Sequence, residues 1–301
     1  MCLCWAHFAL PPLRVQANPT MLKTRIITAI IILLIVLLAL FAFPSWAWGI
    51  FTLGIAAAAC WEWGGFCAFN NNGKRLYFAL TASFLAAIFF TYWYSQFIMQ
   101  VALYSFIVSA VFWFILAPLW LARAARSKSG VIMAITGWVV ILPMWLALLT
   151  LHDKSPWMLL TFAAIVWVAD VFAYFVGRAL GKHKLASEIS PGKTVEGTVG
   201  GMVGVALYFF IWQHFSANVN WRGMAWAFEL REDGLWLLGF FILLGLLSVL
   251  GDLFESWMKR GVGLKDSSHL LPGHGGLLDR IDALTATLPI AGLYVMLVAY
   301  K

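Results

Sequence analysis

Asp252, Glu255, Ser256 and Lys259 stand at i, i+3, i+4 and i+7, a spacing that places all four side chains on one face of a helix, with Ser248 one turn earlier. The run "GVGLKDSSHLLPGHGG" follows, and the free backbone N–H groups of its glycines can approach an anion closely. Asp279, Arg280 and Asp282 then open the next apolar stretch. Nine of the chain's charged residues fall between Asp252 and Asp282. Helix capping and dipole complementation would account for Asp279 and Asp282, at about 0.3–1 kcal/mol each. They do not account for Asp252, Lys259, Arg260, Lys265, His274 and Arg280 gathering beside them.

Carboxylates from two helices, interleaved with Lys, Arg and His around a glycine turn, suit Mg²⁺ together with phosphates. Mg²⁺ is usually held by one or two carboxylates, and substrate phosphate oxygens and water complete its octahedron. Lys and Arg then neutralise phosphate charge that builds in a transition state. Zinc fits less well, because no cysteine lies near His269 and His274 and their spacing matches no common zinc pattern. Ser256 lacks a His–Asp relay that would make it a nucleophile.

Two upstream stretches add polar groups. In "VWVADVFAYFVGRALGKHK", Asp170 interrupts an apolar run, where a carboxylate costs about 2.5–3.5 kcal/mol on insertion scales and so is expected to face protein or a wet cavity. Tyr174 and Arg178 share its helical face. In "SEISPGKTVEG", a Pro-Gly turn is expected to present Lys193 beside Thr194 and Glu196. Its Gly-Lys-Thr is not a P-loop: Ser187 stands where that pattern needs glycine, and an apolar helix is expected where it needs a strand. Glu62, in "CWEWGGF", reads as a snorkelling carboxylate or a partner of Lys74 or Arg75, without a function.

These groups are carried by a chain that is mostly apolar. Of 301 residues, 63% are hydrophobic and only 11% charged; mean hydropathy is +0.88. Soluble globular domains lie outside that range. At 1.5 Å rise per residue, about 20 residues cross a bilayer, and nine candidate spans are expected: about 26–43, 46–69, 76–94, 97–121, 131–151, 157–176, 198–213, 235–251 and 280–300. The seventh is the weakest, being short and rich in glycine. The fold class is therefore all-α, a polytopic integral membrane protein. With nine spans and a cytoplasmic N-terminus, sixteen Lys and Arg fall on the inner side and four on the outer. The net charge of +7 thus reflects topology and contact with anionic lipid, not nucleic-acid binding. The four cysteines include no CxxC pair, so neither a disulfide framework nor a zinc site is implied. Residues 1–20 carry two prolines in tandem and no span-length apolar run. They are expected to be a dispensable extension, with the functional chain starting at Met21. Residues 21–301 form one transmembrane domain, its first five spans (21–151) a scaffold and residues 152–301 the bearer of the site.

The stretch "SWMKRGVGLKDSSHLLPGHGGLLDRID", residues 256–282, resembles the signature of the phosphatidate cytidylyltransferases, also called CDP-diacylglycerol synthases. The matching positions are Ser256, Lys259, Arg260, Lys265, Asp266, Ser268, Pro272, His274, Gly275, Gly276, Asp279, Arg280 and Asp282. "GKHKLASEISPGKTVEG", "SVLGDLFES" and "MLKTRIITA" are also similar to bacterial members, so the resemblance spans residues 21–301. Ser268 stands where glycine is common. The resemblance implies an enzyme that joins CTP to phosphatidic acid, giving CDP-diacylglycerol and pyrophosphate, in the bacterial inner membrane with its site facing the cytoplasm. It further implies Asp252 and Asp279 as ligands of Mg²⁺, one ion or two. On this reading Lys259, Arg260, Lys265, Arg280 and Lys193 meet phosphate charge, and His274, Gly275 and Gly276 shape a triphosphate cradle. Asp170, Tyr174 and Ser256 line the substrate cavity. The sequence allows a homodimer without requiring one. A CDP-alcohol phosphotransferase is excluded, because its Asp-Gly, Ala-Arg and paired-aspartate pattern is missing. A transporter for an anionic solute, with Asp170 and residues 252–282 lining its path, is the rival from another class.

Overall fold

A computed structural model of the chain describes residues 19–94, 97–123, 129–218, 234–271 and 273–299. Nearly all of the expected N-terminal extension lies outside the described residues, as does Pro272. The elements run α1 (Pro19–Ala42), α2 (Ser45–Trp63), α3 (Asn71–Tyr94), α4 (Phe97–Val111), α5 (Ala117–Arg123), α6 (Gly130–Lys154) and α7 (Pro156–Leu180). A short antiparallel hairpin follows, β1 (Lys184–Ala186) and β2 (Ser190–Thr194), and then α8 (Val195–Asn218), α9 (Gly234–Gly261) and α10 (Leu278–Ala299). A π-helical turn, Phe112–Leu116, joins α4 to α5, so the expected fourth span is one apolar rod with a bulge in it.

Among the described residues, seven helices are long and apolar enough to cross a membrane. The all-α polytopic class is as expected. The first two expected spans are also helical. Within α1 an apolar stretch covers Ile27–Ala42, and α2 carries Glu62 near its end.

The α6 and α10 helices form the centre, both packed against α4 and α7, with α2 laid on α6 and α9 along α10. Tryptophan indoles tie this centre together by donating across helices: Trp63 Nε1 to Met133 O at 2.7 Å and Trp113 Nε1 to Thr285 O at 3.1 Å. Such pairing matters in hydrocarbon, where an unmet N–H has no water to turn to.

The glycine content of the seventh span has a packing cause. A Cβ at Gly200 would overlap Val176, and one at Gly204 would overlap Phe172. At Gly201 a Cβ would stand 2.9 Å from the Ala169 carbonyl, and at Gly197 2.8 Å from that of Ala173. This stripe lets the α8 backbone lie directly on α7, the small-residue packing by which membrane helices associate. The run that looked weak as a span is the 24-residue α8, pressed most closely to its neighbour.

Candidate active site

Close α7–α8 packing forces the chain between them out into the hairpin, and the hairpin delivers Lys193. Lys184 pairs with Thr194 and Ala186 with Ser190. Pro191 and Gly192 lie within β2 and the turn falls at Ser187–Ile189, so Lys193 projects from a strand rather than from the expected Pro-Gly turn. Proline is tolerated there because β2 is an edge strand. The hairpin is anchored at its base. Thr194 Oγ1 accepts the Gly197 N–H at 3.1 Å as the cap of α8, and Glu196 accepts the backbone N–H groups of Lys182 and His183.

Lys193 Nζ then meets Asp252 Oδ2 of α9 at 2.7 Å, and Ser256 Oγ donates to Asp252 Oδ1 at 3.2 Å. Asp170 of α7 and Asp282 of α10 both lie within electrostatic reach of Asp252 and Lys193. Gly251 brings α9 and α10 this close, since a Cβ there would come within 2.9 Å of the Asp282 carbonyl. Lys193 thus pairs with one carboxylate, while those of two further helices lie near enough to feel its charge. Asp170 is exposed. Tyr174 is turned to a neighbour instead, its hydroxyl accepting from Arg178 NH1 at 2.9 Å.

A second constellation sits one to two turns along α9. Lys259 is buried, with its ammonium paired to Glu255 and held 2.6 Å from Asp279 Oδ1. Asp279 also accepts from the N–H groups of Ser267 and Gly276, at 3.0 and 2.8 Å to Oδ2, and from Ser267 Oγ at 3.1 Å. Lys259, expected to meet phosphate, here pairs its ammonium with two carboxylates. Asp279 likewise has both oxygens engaged by the loop and by Lys259.

The loop between α9 and α10 is folded onto these groups. Gly275 has φ +82°, and a Cβ there would stand 2.8 Å from Asp279 Oδ2. At Gly276 a Cβ would overlap Ser267 Oγ and approach Glu62 Oε1 to 2.8 Å. The two glycines thus leave room for two carboxylates. His274 Nδ1 lies 2.8 Å from Thr28 Oγ1 of α1, and Arg280 donates back to the His274 carbonyl at 2.7 Å. Arg260 reaches the Ile189 and Leu264 carbonyls, both at 3.5 Å, and Lys265 is exposed on the loop.

Sequence reasoning missed Glu62. Its carboxylate is buried at the end of α2 and accepts from Ser267 Oγ, Ser268 Oγ, Leu277 N and Leu278 N. The expected pairing with Lys74 or Arg75 is replaced by these four donors. All of them lie more than 200 positions away, so no local spacing announces them.

With the geometry in view, the sequence pattern of the cytidylyltransferase family matches residues 23–298, nearly the whole chain. The chain belongs to the cytidylyltransferase family. It is 34% identical to the phosphatidate cytidylyltransferase of Haemophilus influenzae, over 92% of this chain and all of that protein. The Pseudomonas aeruginosa protein of the same name is 32% identical over 90% of this chain and 95% of its own length. A Staphylococcus aureus phosphatidate cytidylyltransferase is 42% identical over a shorter stretch, 44% of this chain and 46% of that protein. Family membership covers both the Lys193 hairpin and the 252–282 segment.

Proposed function

We propose that this chain is a phosphatidate cytidylyltransferase, making CDP-diacylglycerol and pyrophosphate from CTP and phosphatidic acid. A phosphatidate oxygen attacks the α-phosphorus of CTP, a new P–O bond forms, and the bond from that phosphorus to the bridging oxygen breaks to release pyrophosphate. Phosphatidate is itself the nucleophile, so no covalent enzyme intermediate is required. The observation that carries the reading is the Lys193–Asp252 pair, with Asp170 and Asp282 within electrostatic reach, beside a glycine loop at the end of a membrane bundle.

Lys193 is the cation best placed to meet phosphate, being partly open and paired to one carboxylate only. Arg260, Lys265 and Arg280 add positive charge at the exposed rim. Lys259 and Asp279 hold the loop whose backbone approaches the nucleotide. The acyl chains stay in the bilayer. The bias of Lys and Arg supports placing the site on the cytoplasmic side of a bacterial inner membrane, where CTP is available.

Among the described residues, no three His, Cys, Asp or Glu side chains are grouped to hold a metal ion. Mg²⁺ needs no such cage, since one or two carboxylates suffice when phosphates supply the remaining oxygens. The all-oxygen donor set fits it, and a cation, the Lys193 ammonium, already stands on Asp252 with Asp170 and Asp282 within electrostatic reach. Asp252, with Asp170 or Asp282, would hold the ion. Asp279 could join only by exchanging its present partners. When bound, the ion would reduce repulsion between the two substrates and stabilise the departing pyrophosphate.

The test is CDP-diacylglycerol formation from labelled CTP and phosphatidic acid by purified protein in detergent, with and without Mg²⁺. Metal-dependent product that Asp252→Asn abolishes is expected. Folded wild-type protein that makes none, across several lipids and divalent ions, would overturn the reading in favour of transport.

A further inference from the structure

Glu62 links the two halves of the chain at the candidate site. Its Oε2 accepts the Leu278 N–H at 2.6 Å and Ser267 Oγ at 3.1 Å, and its Oε1 accepts Leu277 N–H at 2.9 Å and Ser268 Oγ at 2.5 Å. Leu277 and Leu278 open α10, where the first N–H groups have no partner within the helix and the macrodipole favours an anion. Glu62 therefore caps α10 from another helix. At the same time it fixes both serines of the loop.

The arrangement is more specific than a cap. Ser267 Oγ lies 3.1 Å from Glu62 Oε2 and 3.1 Å from Asp279 Oδ2, so one hydroxyl joins two carboxylates. One proton serves one carboxylate at a time. The two charges are tolerated because α10's N–H groups face Glu62 and the Lys259 ammonium faces Asp279. A continuous polar line thus runs Glu62–Ser267–Asp279–Lys259–Glu255, from α2 through the loop into α9. Gly276 fits the line, since the space for its missing side chain is filled by Ser267 and Glu62.

We infer that Glu62 is a positioning residue for nucleotide binding. It holds the 267–278 loop and the start of α10 in the one geometry that puts Asp279 and the loop amides beside the substrate phosphates. The inference rests on the proposed use of CTP. A carboxylate buried in an apolar bundle would otherwise cost stability, and a buried carboxylate is retained where its hydrogen bonds are complete.

The experiment measures steady-state kinetics of Glu62→Gln and Ser268→Ala in mixed micelles, with CTP and phosphatidic acid varied separately and thermal unfolding recorded for each variant. Glu62→Gln turns an amide group toward N–H donors, which breaks the clamp at constant volume. A misplacement of about 1 Å at a reacting centre costs on the order of 100-fold. The expected result is a fall of about 10- to 100-fold in kcat/KM for CTP, with a raised KM for CTP, an unchanged KM for phosphatidate and a lowered unfolding midpoint. Loss of folded enzyme alone would lower kcat and leave both KM values in place. That outcome, or wild-type kinetics in a folded variant, overturns the inference. Should Glu62→Gln fail to fold, Ser268→Ala decides, with a several-fold rise in KM for CTP expected and a wild-type value refuting the clamp. An inactive wild-type protein would instead refute the proposed function, so the two failures are distinguishable.

Discussion

The Lys193 ammonium stands 2.7 Å from the Asp252 carboxylate, joining the hairpin between α7 and α8 to the middle of α9's polar face. The side chains are 23% and 32% exposed. Pairs this open contribute about 0–1 kcal/mol to stability. Lys193→Met is therefore expected to fold with an unchanged unfolding midpoint, yet to lose about 100- to 1000-fold in kcat, the scale for removing one preorganised charge donor. Near-wild-type turnover would show that phosphate is met elsewhere.

Asp252 and Asp279 differ in what they are free to do. Asp252 faces one ammonium and one hydroxyl, whereas Asp279 takes Lys259, two backbone N–H groups and the Ser267 hydroxyl. A chelator should stop turnover and added Mg²⁺ restore it. Asp252→Asn should then demand far more Mg²⁺ at an unchanged unfolding midpoint, and Asp279→Asn should lower the midpoint as well as the activity. Measuring activity against Mg²⁺ concentration beside thermal unfolding separates the two, and identical behaviour would contradict the division of roles.

Gly275 and Gly276 give a steric prediction. At Gly276 an added methyl overlaps Ser267 Oγ and presses on Glu62, and overpacking of this kind costs about 1–3 kcal/mol. At Gly275, φ +82° adds a backbone penalty of about 1–2 kcal/mol. Both alanine variants should unfold at lower temperature and lose activity. A Gly192→Ala control, where nothing lies within 4 Å, should do neither.

Much of this site is legible along the chain because charge is conspicuous in an apolar sequence. Asp252 and Ser256 announce their shared face by helical spacing, and the structure keeps that face intact. Asp170 could be read as unsuited to hydrocarbon, and it stands exposed beside the Lys193–Asp252 pair. What sequence hides is what depends on tertiary approach. Glu62 gave no signal, because a lone carboxylate beside Lys74 and Arg75 looks solvated until the loop closes over it. Likewise the glycines of α8 weakened its hydropathy while serving contact with Val176 and Phe172. Lys259 looked like one phosphate ligand among several, since spacing cannot show that Asp279 folds back onto it.

That last relation carries its own prediction. Lys259 is buried between Glu255 and Asp279, and Glu255 is itself only 3% exposed. Removing one partner of a buried ion pair leaves an uncompensated charge and costs about 3–5 kcal/mol. Lys259→Met should therefore lower the unfolding midpoint sharply and reduce the yield of folded protein, unlike Lys193→Met. The cause is the abandoned carboxylates, so adding Glu255→Gln removes one of them and should recover part of the stability. Activity should not return with it, because Asp279 still lacks the ammonium that holds it and the loop stays unfixed. Thermal unfolding of the two single variants and the double, beside their CTP kinetics, measures both quantities. If Lys259→Met keeps the wild-type midpoint and only turnover falls, Lys259 contacts substrate directly, and the loop is held by Glu62 and the backbone alone.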